Sequence, residues 1–150
     1  MPDRPVTPPS DPSRPADAPS IGPTRLRHEA TLVLLVARFT LRVRGPRVAL
    51  ARWRWPYVPI GRARPPADTI VAAARSAAAR WPRTTCLAEA VAARWLGQRH
   101  GHELDVVLGA TREGETLSAH AWVELDGRPL RRAAPGTHVR LGALSRKMAP

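Results

Sequence analysis

"TTCLAEAVAARWLGQRHGHELDVVLGAT", Thr84 to Thr111, is where the hydrophobic pattern of the chain changes its period. Leu87, Val91 and Trp95 recur at every fourth position, the spacing of one helix face. Thr84 and Thr85 stand just before them, and threonine is a good N-cap residue. The helical pattern runs out between Gly97 and Gly101. Beyond it Leu104, Val106 and Leu108 alternate with other residues, which is the spacing of a half-buried strand. A helix therefore hands over to a strand within this one stretch.

Downstream, "TREGET" (Thr111 to Thr116) reads as a turn and "LSAHAWVEL" as a second strand. That strand puts His120, Trp122 and Glu124 on one face, and Ala119, Ala121, Val123 and Leu125 on the other. Asp126-Gly127 is a hairpin signal. "RPLRR" is a short third strand, and the rest, "AAPGTHVRLGALSRKMAP", reads as loop.

Upstream, Thr24 to Val43 has a helical pattern, with Leu32, Leu35, Val36 and Phe39 on one face and Leu41 and Val43 flanking it. Gly45-Pro46 ends it. The segment "RVALARWRWPYVPIGRARPP" is loop or broken helix, and its Trp53, Trp55 and Tyr57 form an aromatic cluster that covers core or stacks on a ligand. Asp68 reads as the N-cap of a further helix, with Ile70, Val71, Ala74, Ala77, Ala78 and Trp81 in a stripe and Pro82 as its stop. Helices first and an antiparallel sheet after them make the class α+β.

The chain has 150 residues, which bounds it to one domain. Residues 1–23 hold 8 of the 17 prolines and no aromatic residue. This composition buries too little apolar surface to offset chain entropy, so it reads as a disordered tail. The foldable part is residues 24–144, and 145–150 is a flexible end. A single cysteine excludes an internal disulfide and a Cys-rich zinc site, and a reducing cytoplasm is the expected compartment. The longest apolar run, Ala30 to Ala37, is too short to span a bilayer. Net charge is +12 with a pI of about 11.7, yet the arginines are scattered and lysine occurs once. High charge suits a nucleic-acid or acidic partner, whereas scatter without a recognition motif suits a high-GC composition.

Cys86 opens a helix, where partial positive charge and free backbone N–H groups stabilise a thiolate and can hold an oxyanion. His120 sits mid-strand. If the helix crosses the sheet, the imidazole can stand beside the thiol and supply a Cys–His pair for acyl chemistry. Taken singly, the cysteine is an ordinary small hydrophobe and the histidine an ordinary hydrogen-bonded residue. Their joint placement on these two elements is what points to chemistry. His100 and His102, near a helix end, suit capping better than metal binding. Glu89 suits the helix dipole. The apolar face of "ATLVLLVARF" either docks a partner or packs on the domain's own helices.

"CLAEAVAARWLGQRHGHELDVVLGATREGETLSAHAWVELDGRPL", Cys86 to Leu130, resembles the transglutaminase-like, papain-related cysteine peptidases that remove the leader from lasso-peptide precursors. The likeness is to the McjB C-terminal family in its stand-alone bacterial form. The helices before Cys86 fit more loosely. The resemblance implies Cys86 as nucleophile and His120 as base and then acid. It implies no cofactor or metal, and neither nucleic acid nor membrane as partner. The partners it implies are a leader–core precursor, a separate PqqD-like leader-binding protein and an ATP-dependent lasso cyclase. The triad acid of such folds usually follows the histidine on the next strand, where this chain has "RPLRR". Asp126 at the preceding turn is the first candidate and Asp105 the second. A triad without an acid is the third option, because the acid orients the imidazole and does not take its proton. Two other readings stand beside the peptidase: a basic nucleic-acid- or peptide-binding protein without catalysis, and another acyl transferase on the same fold.

Overall fold

The computed structural model describes residues 23–50, 64–113, 115–130 and 139–144. Three helices come first, α1 (Pro23–Leu50), α2 (Ala67–Ala79) and α3 (Cys86–Arg99). Four strands follow, β1 (Asp105–Glu113), β2 (Thr116–Leu125), β3 (Arg128–Pro129) and β4 (Val139–Leu144). They form one antiparallel sheet in the order β3-β2-β1-β4. The class is α+β, as the order of patterns in the sequence requires. The aromatic segment with Trp53, Trp55 and Tyr57 and the Pro-rich tail lie outside the described residues. None of the described helices is long and apolar enough to cross a membrane.

Helix α3 is the centre of the molecule. Residues 91–97 are buried without interruption, so it is covered on every side. On one side Val91, Ala92, Trp95 and Leu96 meet α1 and α2 through Leu26, Val33, Leu34 and Ile70. On the other, Ala90 and Ala93 meet Val106, Ala121 and Val123 of the sheet. Small alanines on α2 and α3 let the layers approach closely, which keeps dispersion contacts dense.

Four local readings are corrected by this packing. The buried face of α1 is Leu26, Ala30, Val33, Leu34, Ala37 and Thr40, whereas Leu32, Phe39 and Val43 are 62–68% exposed. The helix carries apolar residues on two faces, and the Ala-bearing face is the one that fits against Ala-rich α2. The chain does break at Gly45 (φ 77°, ψ 172°), but helix resumes after it and returns Ala49 and Leu50 to the core. Asp68 is not the cap of α2. Pro66 holds that place and Asp68 lies in the first turn, where its charge suits the helix dipole. Trp81 leaves the α2 stripe for the exposed turn that follows.

The sheet holds the largest surprise. Residues read as loop form β4, which pairs with β1 and carries a register shift at Leu108/Gly109. The "RPLRR" strand is present as β3 at Arg128 and Pro129, while Arg131 and Arg132 lie outside the described residues. The Asp126-Gly127 hairpin is as expected, with φ of 50° and 76°, the left-handed pair of a type I′ turn.

Candidate active site

Cys86 is the first residue of α3 and is partly buried. Its position is fixed from the front. The Thr85 Oγ1 accepts from the Ala88 amide at 3.2 Å, capping the helix. The Thr84 hydroxyl donates to the Trp81 carbonyl at 2.8 Å and accepts from Arg38 Nη1 at 2.9 Å. Arg38 Nη2 reaches the Pro82 carbonyl at 3.4 Å. A guanidinium from α1 thus ties down the turn that delivers the cysteine. Helical bonding makes no use of the Cys86 and Leu87 amides, so they remain available to an anion at the thiol. Glu89 lies in the same first turn.

Cys86 and Leu87 pack against the cluster that contains Ala121 and Val123 of β2. The helix start and the Ala121/Val123 face of β2 therefore share one core cluster. The alternation of β2 puts the His120 ring on the other side of the strand, with Trp122 and Glu124. There the rings of His120 and Trp122 stack, with centroids 6.2 Å apart and planes 22° from parallel. The Trp122 Nε1–H donates to Glu124 Oε1 at 2.9 Å. Glu124 Oε2 forms an ion pair with Arg140 of β4 at 3.1 Å.

Trp122 has room for this only because its neighbour is glycine. A Cβ at Gly109, the residue paired with His120, would come within 2.7 Å of the indole ring. The arrangement is a ladder: imidazole, indole, carboxylate, guanidinium. Glu124 is buried, so its charge needs these two partners. The role of Glu124 as acceptor for Trp122 was open to sequence reasoning, since Trp-x-Glu on a strand places both on one face. The part played by Arg140 was not, because it comes from a strand with no clear pattern.

The proposed acids fall elsewhere. Asp126 occupies the exposed β2–β3 turn. It lies six steps along the strand from His120, roughly 20 Å at ~3.3 Å per residue, and β3 is too short to fold it back. Asp105 pairs with Glu124, four positions along β1 from Gly109, and its charge acts on Arg94. Burial lowers the pKa of the Arg94 guanidinium, and Asp105 partly offsets that. The strand register sets neither acid beside the imidazole.

The other end of α3 is closed by Glu29. Its Oε1 accepts from Arg99 Nε at 2.6 Å, and its Oε2 lies 3.1 Å from His100 Nε2. Burial pushes the Glu29 carboxyl up, but the bonds and charges of His100 and Arg99 outweigh it, and the net direction is down. His100 is the C-cap residue of α3. His102 Nε2 lies 2.7 Å from the Pro65 carbonyl. Both histidines do structural work at the helix end. Among the described residues, no three of the His, Cys, Asp and Glu side chains gather as a metal-ligand set.

No curated protein and no solved structure matches the chain. A family model described as the transglutaminase-like superfamily matches residues 31–145, from the first turns of α1 past the end of β4. That span contains the helix-start cysteine, the strand histidine and the sheet that joins them, and the chain belongs to the transglutaminase-like superfamily, whose fold is of the cysteine-protease and acyltransferase type.

Proposed function

We propose that the protein is a cysteine peptidase that removes the leader from a lasso-peptide precursor. The observation that carries the proposal is the capped, partly buried Cys86 at the start of α3, packed against the core cluster to which β2, the strand of His120, contributes Ala121 and Val123. The peptide specificity rests on the resemblance of Cys86–Leu130 to the leader peptidases of lasso-peptide maturation.

In this reading the Cys86 Sγ attacks the carbonyl carbon joining leader to core. His120, whose ring β2 carries on its other face, must swing round to the thiol in this reading; it then takes the thiol proton and gives it to the leaving amine as the C–N bond breaks. The first amides of α3 hold the developing oxyanion. Water, deprotonated by His120, then attacks the thioester and releases the leader carboxylate, with the thiol regenerated. The free core amine is the group a cyclase would join to an acidic side chain.

The decisive measurement is the rate of Cys86 alkylation by iodoacetamide against pH, in wild type and His120→Ala. Fast alkylation that persists below neutral pH and is slowed in His120→Ala supports the pair. An ordinary thiol indifferent to His120 overturns it. With precursor and leader-binding partner added, Cys86→Ala and His120→Ala should each abolish cleavage while keeping the wild-type circular dichroism spectrum. Conversion of a thioester to an amide on adding a primary amine, without net hydrolysis, would move the assignment to acyl transfer at the same thiol.

A further inference from the structure

Between α1 and the start of α3 lies a groove of about 440 Å³. Its apolar wall is Leu35, Phe39 and Trp81, and its basic rim is Arg38, Arg42 and Arg83. Phe39 is 68% and Trp81 40% exposed, so two large aromatic surfaces stand in solvent side by side. Thr85, the cap of α3, lines the same groove. The groove therefore reaches the first turn of α3, at the residue that precedes Cys86 in the chain.

No described carboxylate forms an ion pair with any of the three rim arginines. Arg38 is committed to Thr84 and Pro82, whereas Arg42 and Arg83 are exposed. An apolar floor with a cationic rim selects by charge as well as by burial. We infer that this groove binds a peptide segment that alternates acidic and large apolar residues, and that it holds the substrate beside Cys86. The apolar side chains lie on Leu35, Phe39 and Trp81, and the carboxylates meet Arg42 and Arg83. This rests on the peptidase reading for the word substrate, but the binding itself does not depend on catalysis.

The test uses the full chain as Cys86→Ala, so that no turnover intervenes. The probe is a fluorescein-labelled octapeptide alternating glutamate with leucine and phenylalanine, followed by anisotropy. Controls are the same peptide with lysine for glutamate and a labelled single-stranded oligonucleotide. The expected result is saturable binding of the acidic peptide, at least about tenfold weaker for the lysine peptide. Arg42→Glu/Arg83→Glu should weaken it by about tenfold or more, and Phe39→Ala by about threefold or more. All three positions are exposed, so folding is preserved and is checked by circular dichroism.

Equal binding of both peptides, or binding indifferent to the Arg and Phe changes, overturns the inference. So does an oligonucleotide that competes equally well, which would make the rim a nucleic-acid surface. A dimer by light scattering that Phe39→Ala dissociates would assign the groove to a second copy instead, and also overturns it. The alkylation profile of Cys86 in Arg42→Glu/Arg83→Glu, made in the cysteine-containing chain, separates the two claims. An unchanged, fast-reacting thiol together with no peptide binding even to the chain with its rim arginines intact (Cys86→Ala) sinks the groove and spares the nucleophile. Peptide binding with an ordinary thiol does the reverse.

Discussion

The two ends of α3 are built to opposite purposes. At the C-terminal end every charge is answered. Arg99 and His100 converge on Glu29 from α1, and the Leu96 and Gly97 carbonyls accept from the His100 amide. At the N-terminal end, one threonine side chain satisfies the Ala88 amide, and the first residue of the helix is the partly buried Cys86. The closed end anchors the helix against α1, and the open end presents a reactive group. One helix can do both because its middle is buried on all sides and cannot shift.

The comparison breaks most visibly at Glu29. Glu29→Ala leaves Arg99 and His100 without their carboxylate in a partly buried site, and should destabilise the fold by about 2–4 kcal/mol. Urea titration reads this directly, and the Cys86 alkylation rate in the folded variant should stay unchanged. If it falls as well, the two ends are coupled and the division of labour fails.

Acid sharpens the same point. The folded-state pKa of Glu29 is lowered, so its contribution is fully present above the unfolded value and lost as pH falls through the folded one. As pH falls through and below the ordinary carboxylate range, the urea midpoint of wild type should fall more steeply than that of Glu29→Gln. Parallel curves would mean the carboxylate is not the group that acid removes.

At the open end, Thr85→Ala removes the cap and should cost about 1 kcal/mol. It should also slow Cys86 alkylation at neutral pH, because the helix start frays and its amides no longer point at the sulfur. Thr85→Ser should restore both readings. The smallest effect is expected from Asp126→Asn, which should leave the alkylation profile and the stability within about 0.5 kcal/mol of wild type. A clear change in the thiol profile would return Asp126 to the site.

What the sequence discloses follows from how local each cue is. The period change across Gly101, the threonine caps before Cys86 and the Asp-Gly turn are written in neighbouring residues, and each appears where expected. The packed face of α1 is not local. Leu32 and Phe39 have the spacing of a buried stripe, and only the fit of Ala30 and Ala37 against other helices decides otherwise. Strand β4 is harder still. Val139 and Leu141 share a face yet both are 68% exposed, so "VRLGAL" owes its strand to pairing with β1 and carries little signature of its own. The misplacement of Asp126 has a related cause. Its role as a turn residue is local, whereas the distance from it to His120 is set by a strand that continues straight between them.

The position of β4 also sets a clock within the sheet. β1 and β2 are neighbours in the chain, but β4 must return from more distant sequence to reach β1, across a register shift and as an edge strand among the described residues. Distant pairing carries the larger loop-closure entropy, and strands with few buried contacts open first. Backbone amides of β4 therefore exchange with deuterium before those of β1 and β2. Arg140 leaves with β4, so the buried Glu124 carboxylate periodically meets water while the His120–Trp122 stack beside it is still in place.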